Sequence, residues 1–209
     1  MGFREALFGI KGADFVLLAT DTRQIRSIVV MKGEEEKFRQ LNSSAILAYS
    51  GEAGDTVNFA EFIQRNIQLY GVRNDKELGV CAAANWTRRN LADALRSRHP
   101  YQVNVLVGGI ERDHLAANPE SAVEPKLYWI DYLAAMVELP FAVHGYASYF
   151  CTSLLDRHWR EGMSESEVLG LLKLCLEELK TRFIVNFPKL AIGIVRSDGV
   201  KVIDFDSLQ

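Results

Sequence analysis

The order in which two hydrophobic periodicities alternate along the chain most limits the fold that it can adopt. Apolar residues recur at every second position in some segments, as in half-buried strands, and at every third or fourth position in others, as in amphipathic helices. The pattern predicts strands, two consecutive helices, strands, two further helices and closing strands. A parallel sheet built from βαβ units requires single helices between strands, so the paired helices argue against it. The sequence therefore predicts an α+β fold, a four-layer αββα sandwich of two antiparallel sheets between two helix pairs.

Four strands are predicted before the first helix. The first two flank a turn at Gly12-Ala13-Asp14, and the run Val16-Leu17-Leu18-Ala19 is apolar enough for a strand that is buried on both faces. The acidic segment 33–36 reads as a solvated turn. The predicted strands are 8–11, 15–21, 25–31 and 45–49.

The first predicted helix runs from Asp55 to Tyr70, and Gly71 is expected to end it. Asn74 and Glu77 have the spacing of a capping box, which predicts a second helix that begins there. This second helix is expected to end near residue 98, because the next residue precedes a proline and is disfavoured from helical geometry.

The second half of the chain repeats this order. Ser164 and Glu167 are predicted to cap the last helix, and Asp198-Gly199 is a hairpin signal between the closing strands. The segment 112–125 has two prolines and several charges, so we expect a surface excursion there, either a contact or only a loop. The predicted strands are 103–107, 127–131, 133–138, 141–144, 189–195 and 200–205, and the third helix spans 145–158.

Length and composition favour one domain, residues 1–209. The chain has 48% hydrophobic residues, which suffices for a core without metals or disulfides. A net charge of -3 gives no electrostatic reason to expect nucleic acid or an anionic membrane as a partner. Neither a signal peptide nor an apolar run of membrane-spanning length is evident, so a soluble intracellular protein is expected.

The cysteines and histidines do not have the spacing of a metal site. Cys81, Cys151 and Cys175 are far apart, and each falls in a predicted helix, so we expect reduced thiols packed as small apolar groups. Reduced cysteines indicate the cytosol or nucleus. The common motifs for nucleotide, metal and serine-hydrolase sites are absent, so no cofactor is predicted.

Two local features have competing interpretations. The glycine-rich segment 51–55 precedes a helix, as a phosphate cradle would, but it lacks a lysine and its two carboxylates would repel an anion. A tight strand-to-helix turn is the favoured interpretation. The arginines at 88, 89, 96 and 98 could contact nucleic acid, yet Asp93 lies among them, which favours a solvated or subunit-facing surface.

Several longer motifs resemble one known family. The segment GEAGDTVNFAEFIQ at 51–64 is similar to the turn and first helix of proteasome β subunits, in particular the type at the beta-4 position of the ring. The resemblance extends from about residue 8 to residue 206. Further similar segments are 87–93, 95–98, 100–106, 130–134, 139–142, 144–146, 154–156 and 174–179. The family's fold is the αββα sandwich that the periodicity predicts.

The resemblance places the chain among the N-terminal nucleophile hydrolases. Active members expose a threonine as the first residue after processing, and its own α-amine acts as the base. In this sequence the first threonine is Thr20, and cleavage before it would delete the first strand and most of the second. An ungapped alignment of the second strand puts Glu5 near the position of the nucleophile. The resemblance therefore implies an inactive member.

Two polar positions of the family's site are retained. The aspartate of the second strand matches Asp21, and the lysine matches Lys37, fourteen residues before Gly51, with Lys32 as a weaker candidate. We expect these residues to be vestigial. They either form an ion pair, kept because the loss of one partner would leave a buried charge, or Lys37 belongs to a solvated face of residues 34–39.

The other site positions are replaced. The family's serine before the third helix falls on Gly145. Its aspartate late in the fourth helix falls near Phe183, and the next serine falls near Asn186. None of these three side chains can substitute for the family's polar group.

The resemblance implies a non-catalytic structural β subunit of the proteasome core particle, needed to complete the β ring in ubiquitin-dependent protein degradation. The expected partners are beta-3 and beta-5 type subunits in the ring, the α ring above and the opposite β ring, in a particle of 28 subunits in the cytoplasm and nucleus. An active threonine peptidase is the disfavoured alternative, because the nucleophile is missing. An unrelated binding domain would share only the fold.

Overall fold

Antiparallel strands and paired helices account for most of the residues that the computed structural model describes, namely 5–26, 29–112, 123–184 and 189–206. The strands are β1 (Leu7–Lys11), β2 (Val16–Asp21), β3 (Gln24–Arg26), β4 (Val29–Lys32), β5 (Phe38–Gln40), β6 (Ala45–Gly51), β7 (Val103–Arg112), β8 (Val123–Ile130), β9 (Met136–Glu138), β10 (Phe141–His144), β11 (Lys189–Arg196) and β12 (Gly199–Asp206). The helices are α1 (Asp55–Asn74), α2 (Val80–Leu95), α3 (Ala147–His158) and α4 (Glu165–Arg182).

Two five-stranded sheets form the inner layers of the molecule. One has the order β10-β1-β2-β11-β12 and the other the order β5-β6-β7-β8-β9, and the strand pairs in both are antiparallel. Helices α3 and α4 pack on the first sheet, whereas α1 and α2 pack on the second. The predicted four-layer αββα sandwich is confirmed.

The alternation of side chains along β2 shows how the layers are specified. Leu17 and Ala19 pack toward α3 and α4, whereas Val16 and Leu18 pack between the two sheets. Successive strand residues point to opposite faces, so a strand between a helix layer and a second sheet needs apolar residues at every position. The predicted strand buried on both faces is confirmed.

Glycines allow the two sheets to approach closely. A Cβ atom on Gly9 would lie 2.8 Å from Leu127 Cδ1, and one on Gly108 would lie 2.8 Å from Val16 Cγ1. A Cβ atom on Gly193 would likewise lie 2.7 Å from Ile46 Cδ1. Any larger residue at these positions would push the sheets apart, because close-packed interiors leave little room for an added carbon.

The predicted single strand at 25–31 is wrong. The structure has two short antiparallel strands, β3 and β4, that form a separate two-stranded sheet, with residues 27–28 outside the described part of the chain. Periodicity alone did not show that the chain reverses within this segment. Strand β5 was also not predicted, because its three residues are too few to establish an alternation.

The predicted boundary between the first two helices is also wrong. Helix α1 continues through Gly71 to Asn74 and ends at Asp75, which has left-handed geometry with φ 50°. A helix interior tolerates one glycine at a cost of roughly 1 kcal/mol, so Gly71 does not by itself end the helix. Asn74 and Glu77 form no capping box, and α2 begins only after Gly79. Glu77 instead accepts a hydrogen bond from Ser43.

Strands β7 and β8 reach into the predicted excursion at 112–125, because β7 continues to Arg112 and β8 begins at Val123. Pro125 of β8 pairs with Ile110 of β7, whose own N–H donates to the carbonyl oxygen of Ser44, and it lies beyond the residues that pair with β9. Its missing N–H therefore leaves no ladder bond unmade. Residues 113–122 lie outside the described part, so the role of this segment stays a prediction.

The predictions for the C-terminal half are otherwise confirmed with small shifts of boundary. Ser164 and Glu167 form the capping box at the start of α4, and Ser164 N donates to Glu167 Oε2 at 2.9 Å. The closing strands form the predicted hairpin, with Gly199 at φ 135° just after its turn. Strand β9 is shorter than predicted, because residues 133–135 belong to the turn before it.

The three cysteines are free and lie in helices, as expected. Cys151 and Cys175 are buried between α3, α4 and the first sheet, but Cys81 is exposed, so the expectation that all three pack as apolar groups is wrong for that residue. Of the helices described, none has both the length and the apolar character needed to cross a membrane.

His144, at the end of β10, links the two sheets. Its Nε2 lies 3.1 Å from the carbonyl oxygen of Val105 in β7, and because a carbonyl only accepts, Nε2 carries the proton. The ring stacks on Trp129 with a centroid distance of 4.7 Å. Burial lowers the pKa of His144 to about 4, although hydrogen bonds to the backbone of Val105 and Ile130 oppose this shift.

We predict that His144 makes the fold sensitive to acid. The unfolded state binds the proton with a pKa near 6.5, so the stabilisation is complete above that pH and is lost as the pH falls toward 4. The loss amounts to roughly 3 kcal/mol. Urea unfolding of the wild type and of His144→Gln, which keeps a donor but does not titrate, measures this effect at pH 7.5 and pH 4.5.

The change in the free energy of unfolding between the two pH values is compared for the wild type and His144→Gln, and the difference between the two changes isolates the contribution of His144. Asp21 acts in the opposite direction, because its pKa is raised in the folded state and its protonation stabilises the fold as the pH falls. That contribution is present in both proteins and cancels. Equal changes in stability between the two pH values would contradict the prediction.

Candidate functional site

Three charged side chains meet where the two sheets come together. Glu5 immediately precedes the buried start of β1, Asp21 ends β2, and Lys37 precedes β5 in the opposite sheet. Strand pairing brings the first two together, since Leu7 lies opposite Thr20. Lys37, the third member, comes from the side of the second sheet.

The Lys37 ammonium has a complete set of acceptors. Its Nζ lies 2.9 Å from Glu5 Oε1 and 3.0 Å from Asp21 Oδ2. It also donates to the carbonyl oxygen of Arg23 at 2.8 Å. An ammonium has three N–H donors, so all three are used and the group is held without water.

The two carboxylates are fixed by backbone donors. Asp21 Oδ1 accepts the N–H of Ala6 at 3.0 Å, and Glu5 Oε2 accepts the N–H of Gly51 at 2.9 Å. The cluster therefore ties together the first strand, the second strand and the end of β6. Charge-assisted bonds of this kind are stronger than neutral ones.

Burial decides between the two interpretations left open for Lys37. The residue is 1% exposed, so it is not part of a solvated face, although the preceding residues 33–36 are mostly exposed as predicted. It forms the buried ion pair with Asp21. Lys32, the weaker candidate, is exposed on β4. The assignment of Asp21 and Lys37 to the family's catalytic positions stays a prediction.

One ammonium lies between two carboxylates, and this imbalance shifts the pKa values. Burial raises the pKa of Asp21 to about 6, with a further upward contribution from Glu5, while Lys37 and the hydrogen bond from Ala6 oppose the shift. Burial lowers the pKa of Lys37, but the two carboxylates outweigh it and the net shift is upward. Lys37 is therefore firmly charged at neutral pH, and Asp21 takes up a proton at a higher pH than an exposed aspartate does.

The glycine-rich segment forms the tight strand-to-helix turn that was favoured over a phosphate cradle. A Cβ atom on Gly51 would lie 2.1 Å from the carbonyl oxygen of Gln102, so only glycine fits. Glu52 N donates to that same carbonyl at 2.9 Å, and Asp55 Oδ2 accepts the N–H of Gln102. The N–H of Gly51 is already bonded to Glu5.

The positions where the family's serine and aspartate were expected carry no polar side chain. Gly145 has φ 79°, and its carbonyl accepts a hydrogen bond from Ser148 Oγ at 2.8 Å. Phe183 follows the end of α4, and its ring packs against Tyr146 and Phe150 with centroid distances of 5.9 and 5.7 Å. Asn186 lies outside the described residues. Phe183 thus belongs to an aromatic cluster with Tyr146 and Phe150.

Sequence reasoning missed three hydroxyl groups beside the charged cluster. Thr20, Thr22 and Ser50 each have a buried side-chain oxygen without a hydrogen-bond partner among the described residues. They are adjacent in sequence to Asp21 and Gly51. The available signal was the placement of polar residues at the ends of two otherwise apolar strands, β2 and β6.

Two other predicted features lie outside this cluster. The arginines at 89, 96 and 98 are exposed, and Arg89 is 4.0 Å from Asp93 in a solvated pair along α2. A search of the described residues finds no group of three or more histidine, cysteine, aspartate or glutamate side chains placed to hold a metal ion.

We predict that Lys37→Met destabilises the fold strongly at neutral pH. The substitution keeps an unbranched side chain but leaves two buried carboxylates without a cation, a loss of roughly 3–5 kcal/mol. The loss should shrink as the pH falls, because protonation of Asp21 removes the uncompensated charge; its pKa is about 6 with Lys37 present, and Lys37 is a group that lowers it, so the pKa in the variant is higher still. Urea unfolding at pH 7.5 and pH 5.5 measures both effects.

Arg89→Met is the matched control. Its partner Asp93 is exposed, so the change in stability should stay within about 0.5 kcal/mol at either pH. A similarly small change for Lys37→Met would show that the buried cluster does not stabilise the fold.

Comparison with known proteins agrees with this geometry. Residues 5–195 match the family model described as proteasome subunit. The chain is 47% identical over 201 residues to the probable proteasome subunit beta type-4 of Meyerozyma guilliermondii, covering 96% of this chain and 100% of that protein. It is 44% identical over 200 residues to the proteasome subunit beta type-4 of Saccharomyces cerevisiae, covering 96% and 97% of the two chains.

A plant relative shows a comparable similarity. The proteasome subunit beta type-2-B of Arabidopsis thaliana is 40% identical over 197 residues, which is 94% of each chain. The similarity therefore spans the four-layer sandwich and the charged cluster together. The chain belongs to the proteasome subunit family, and it is a β-type member of that family.

Proposed function

We propose that this chain is a non-catalytic β subunit, which completes the β ring of the proteasome core particle without cleaving peptides itself. One observation carries the proposal. Glu5, two positions before β1, lies near where the ungapped alignment puts the family's nucleophile, and its carboxylate is ion-paired with Lys37 at 2.9 Å. Both oxygens of the Glu5 carboxylate are occupied by donors, so neither is free to react.

The chemistry of N-terminal nucleophiles explains why this replacement abolishes hydrolysis. A threonine hydroxyl attacks the peptide carbonyl while the α-amine of the same residue removes its proton. Glu5 provides no hydroxyl. Lys37 cannot compensate, because its three donors are used by Glu5, Asp21 and the carbonyl of Arg23.

Thr20 does not supply the missing nucleophile. It lies within β2, is fully buried, and is paired on one side with Leu7 and on the other with Ala191. Releasing it as a chain start would remove β1 and most of β2, which join β10 to β11 in the first sheet. The active-peptidase alternative therefore requires the loss of the sheet that would support it.

A structural role agrees with the apolar surface that this chain exposes. Val29, Val30 and Met31 on β4 and Leu69 and Val72 on α1 are all more than two-fifths exposed. Clusters of exposed apolar residues are typical of subunit contacts. We propose that neighbouring subunits cover them, through interfaces of at least about 1,200 Å² in total.

The relatives, which are named as proteasome β subunits, support assembly with other proteasome subunits. We propose beta-3 and beta-5 type neighbours within the ring, α subunits above and the opposite β ring below, in a particle of 28 subunits. We propose the cytoplasm and nucleus as its location, which the free cysteines support, because such compartments keep thiols reduced.

Labelling of the assembled particle tests the proposal. Particles that contain this chain are treated with a peptide epoxyketone, which reacts with an amino-terminal threonine, and each subunit is then measured by intact mass. We expect this chain to carry no adduct and no amino-terminal threonine. Catalytic subunits of the same particle, which should be modified, are the internal control. An adduct on this chain would overturn the proposal.

We further predict that Gly145→Ser does not create peptidase activity. The hydroxyl would restore a supporting group of the family's site but not the nucleophile. Gly145 also has φ 79°, a conformation that costs a non-glycine residue about 1–2 kcal/mol, so a lower stability is expected instead.

The measurement uses particles whose catalytic subunits are inactivated, with a fluorogenic peptide as substrate. Hydrolysis above that of the wild-type particle would show that this chain supplies a nucleophile although Glu5 has replaced the family's threonine. Ser148→Ala, which removes the hydroxyl that contacts Gly145, is the control for local disturbance.

A further inference from the structure

The Glu5 carboxylate is held by two donors. The donors come from two different segments of the chain, and neither segment is the one that contains Glu5. Lys37 Nζ contacts one oxygen at 2.9 Å, and the backbone N–H of Gly51 contacts the other at 2.9 Å. Lys37 precedes β5, and Gly51 ends β6. A charged donor and a neutral donor therefore converge on the two oxygens of one carboxylate.

The lysine is held in place independently of Glu5. Apart from its contact with Glu5, Lys37 Nζ is paired with Asp21 Oδ2 at 3.0 Å and donates to the carbonyl oxygen of Arg23 at 2.8 Å. Asp21 is in turn anchored by the N–H of Ala6. The ammonium would thus keep its place, with one N–H unused, if the Glu5 side chain were shortened.

The backbone donor is equally independent of Glu5. Gly51 pairs with Val103 in the ladder between β6 and β7, and the carbonyl of Gln102 lies against its α-carbon. Glu52 N donates to that carbonyl, which fixes the direction of the following turn. A donor fixed in this way is preorganised, so little conformational freedom is lost when an acceptor binds.

We infer that Lys37 and Gly51 form a binding site for a small carboxylate, and that Glu5 occupies this site as a tethered ligand. The Glu5 side chain is 13% exposed, whereas that of Lys37 is 2% exposed, so the site opens toward solvent on the Glu5 side. The inference extends the proposed non-catalytic role, and it rests on that proposal. In a particle that produces peptides, a tethered carboxylate keeps their carboxyl termini out of this site.

The effect of Glu5 on external carboxylates tests the inference. The Glu5→Ala variant of the full chain is prepared in buffer without carboxylates, and its thermal unfolding is followed with increasing sodium formate. We expect a lower Tm than in the wild type, and a saturable rise of roughly 3 °C on addition of formate. The wild type should show no saturable rise, because its own carboxylate fills the site.

Three controls identify the site and the chemistry. Glu5→Gln fills the same space with a neutral amide, so formate should leave its Tm unchanged. Sodium chloride at equal ionic strength should not reproduce the rise in Glu5→Ala. The double variant Glu5→Ala/Lys37→Met should lose the response to formate. Equal responses of Glu5→Ala and Glu5→Gln, or of formate and chloride, would overturn the inference.

A second measurement covers a variant that does not fold without an anion. The refolding yield of Glu5→Ala is then determined at increasing formate, and recovery should reach a plateau that chloride does not produce. No recovery at any formate concentration overturns the inference. The epoxyketone experiment is independent of this result. If formate does not bind and the epoxyketone leaves no adduct on this chain, only the tethered-ligand inference is refuted. An epoxyketone adduct on this chain refutes the proposed function.

Discussion

The ammonium of Lys37 is the group that joins the two sheets electrostatically at this end of the sandwich. It comes from the edge of one sheet, and its carboxylate partners come from the first two strands of the other. A buried charge is tolerated only if partners surround it, so Lys37 and Asp21, the two most buried members, depend on one another. Without Lys37, the Asp21 carboxylate would lose the cation that compensates for its burial. This dependence explains how the ion pair persists in the interior.

The layer architecture was predictable because its cause is local. The continuous burial of β2 and β6 and the helical stripe of α1 each follow from which faces of one element are buried. The errors have physical causes as well. One glycine costs a helix only about 1 kcal/mol, so Gly71 does not end α1. The reversal between β3 and β4 occurs where the strands are too short for a periodicity to be seen.

The charged cluster could be predicted only in part. Alignment with the family placed Asp21, Lys37 and Glu5 at related positions, but no pattern in the sequence showed that they touch. Lys37 follows three glutamates, a context that normally indicates a solvated segment, and yet its side chain is buried. The hydrogen bond from the N–H of Gly51 to the Glu5 carboxylate joins residues 46 positions apart, so it depends on the assembled fold. Neighbouring residues in the sequence contain no record of such a contact.

The position of β11 in the first sheet has a consequence for biosynthesis. This strand lies between β2 and β12, and Leu190 pairs with Asp21 across most of the chain. A nascent polypeptide therefore presents β2 as an open edge until its final strands have left the ribosome, and such edges readily pair with other chains. Contacts of such long sequence separation also slow folding. The chain consequently passes through a vulnerable interval during translation, in which chaperones or early-arriving neighbours would shield it.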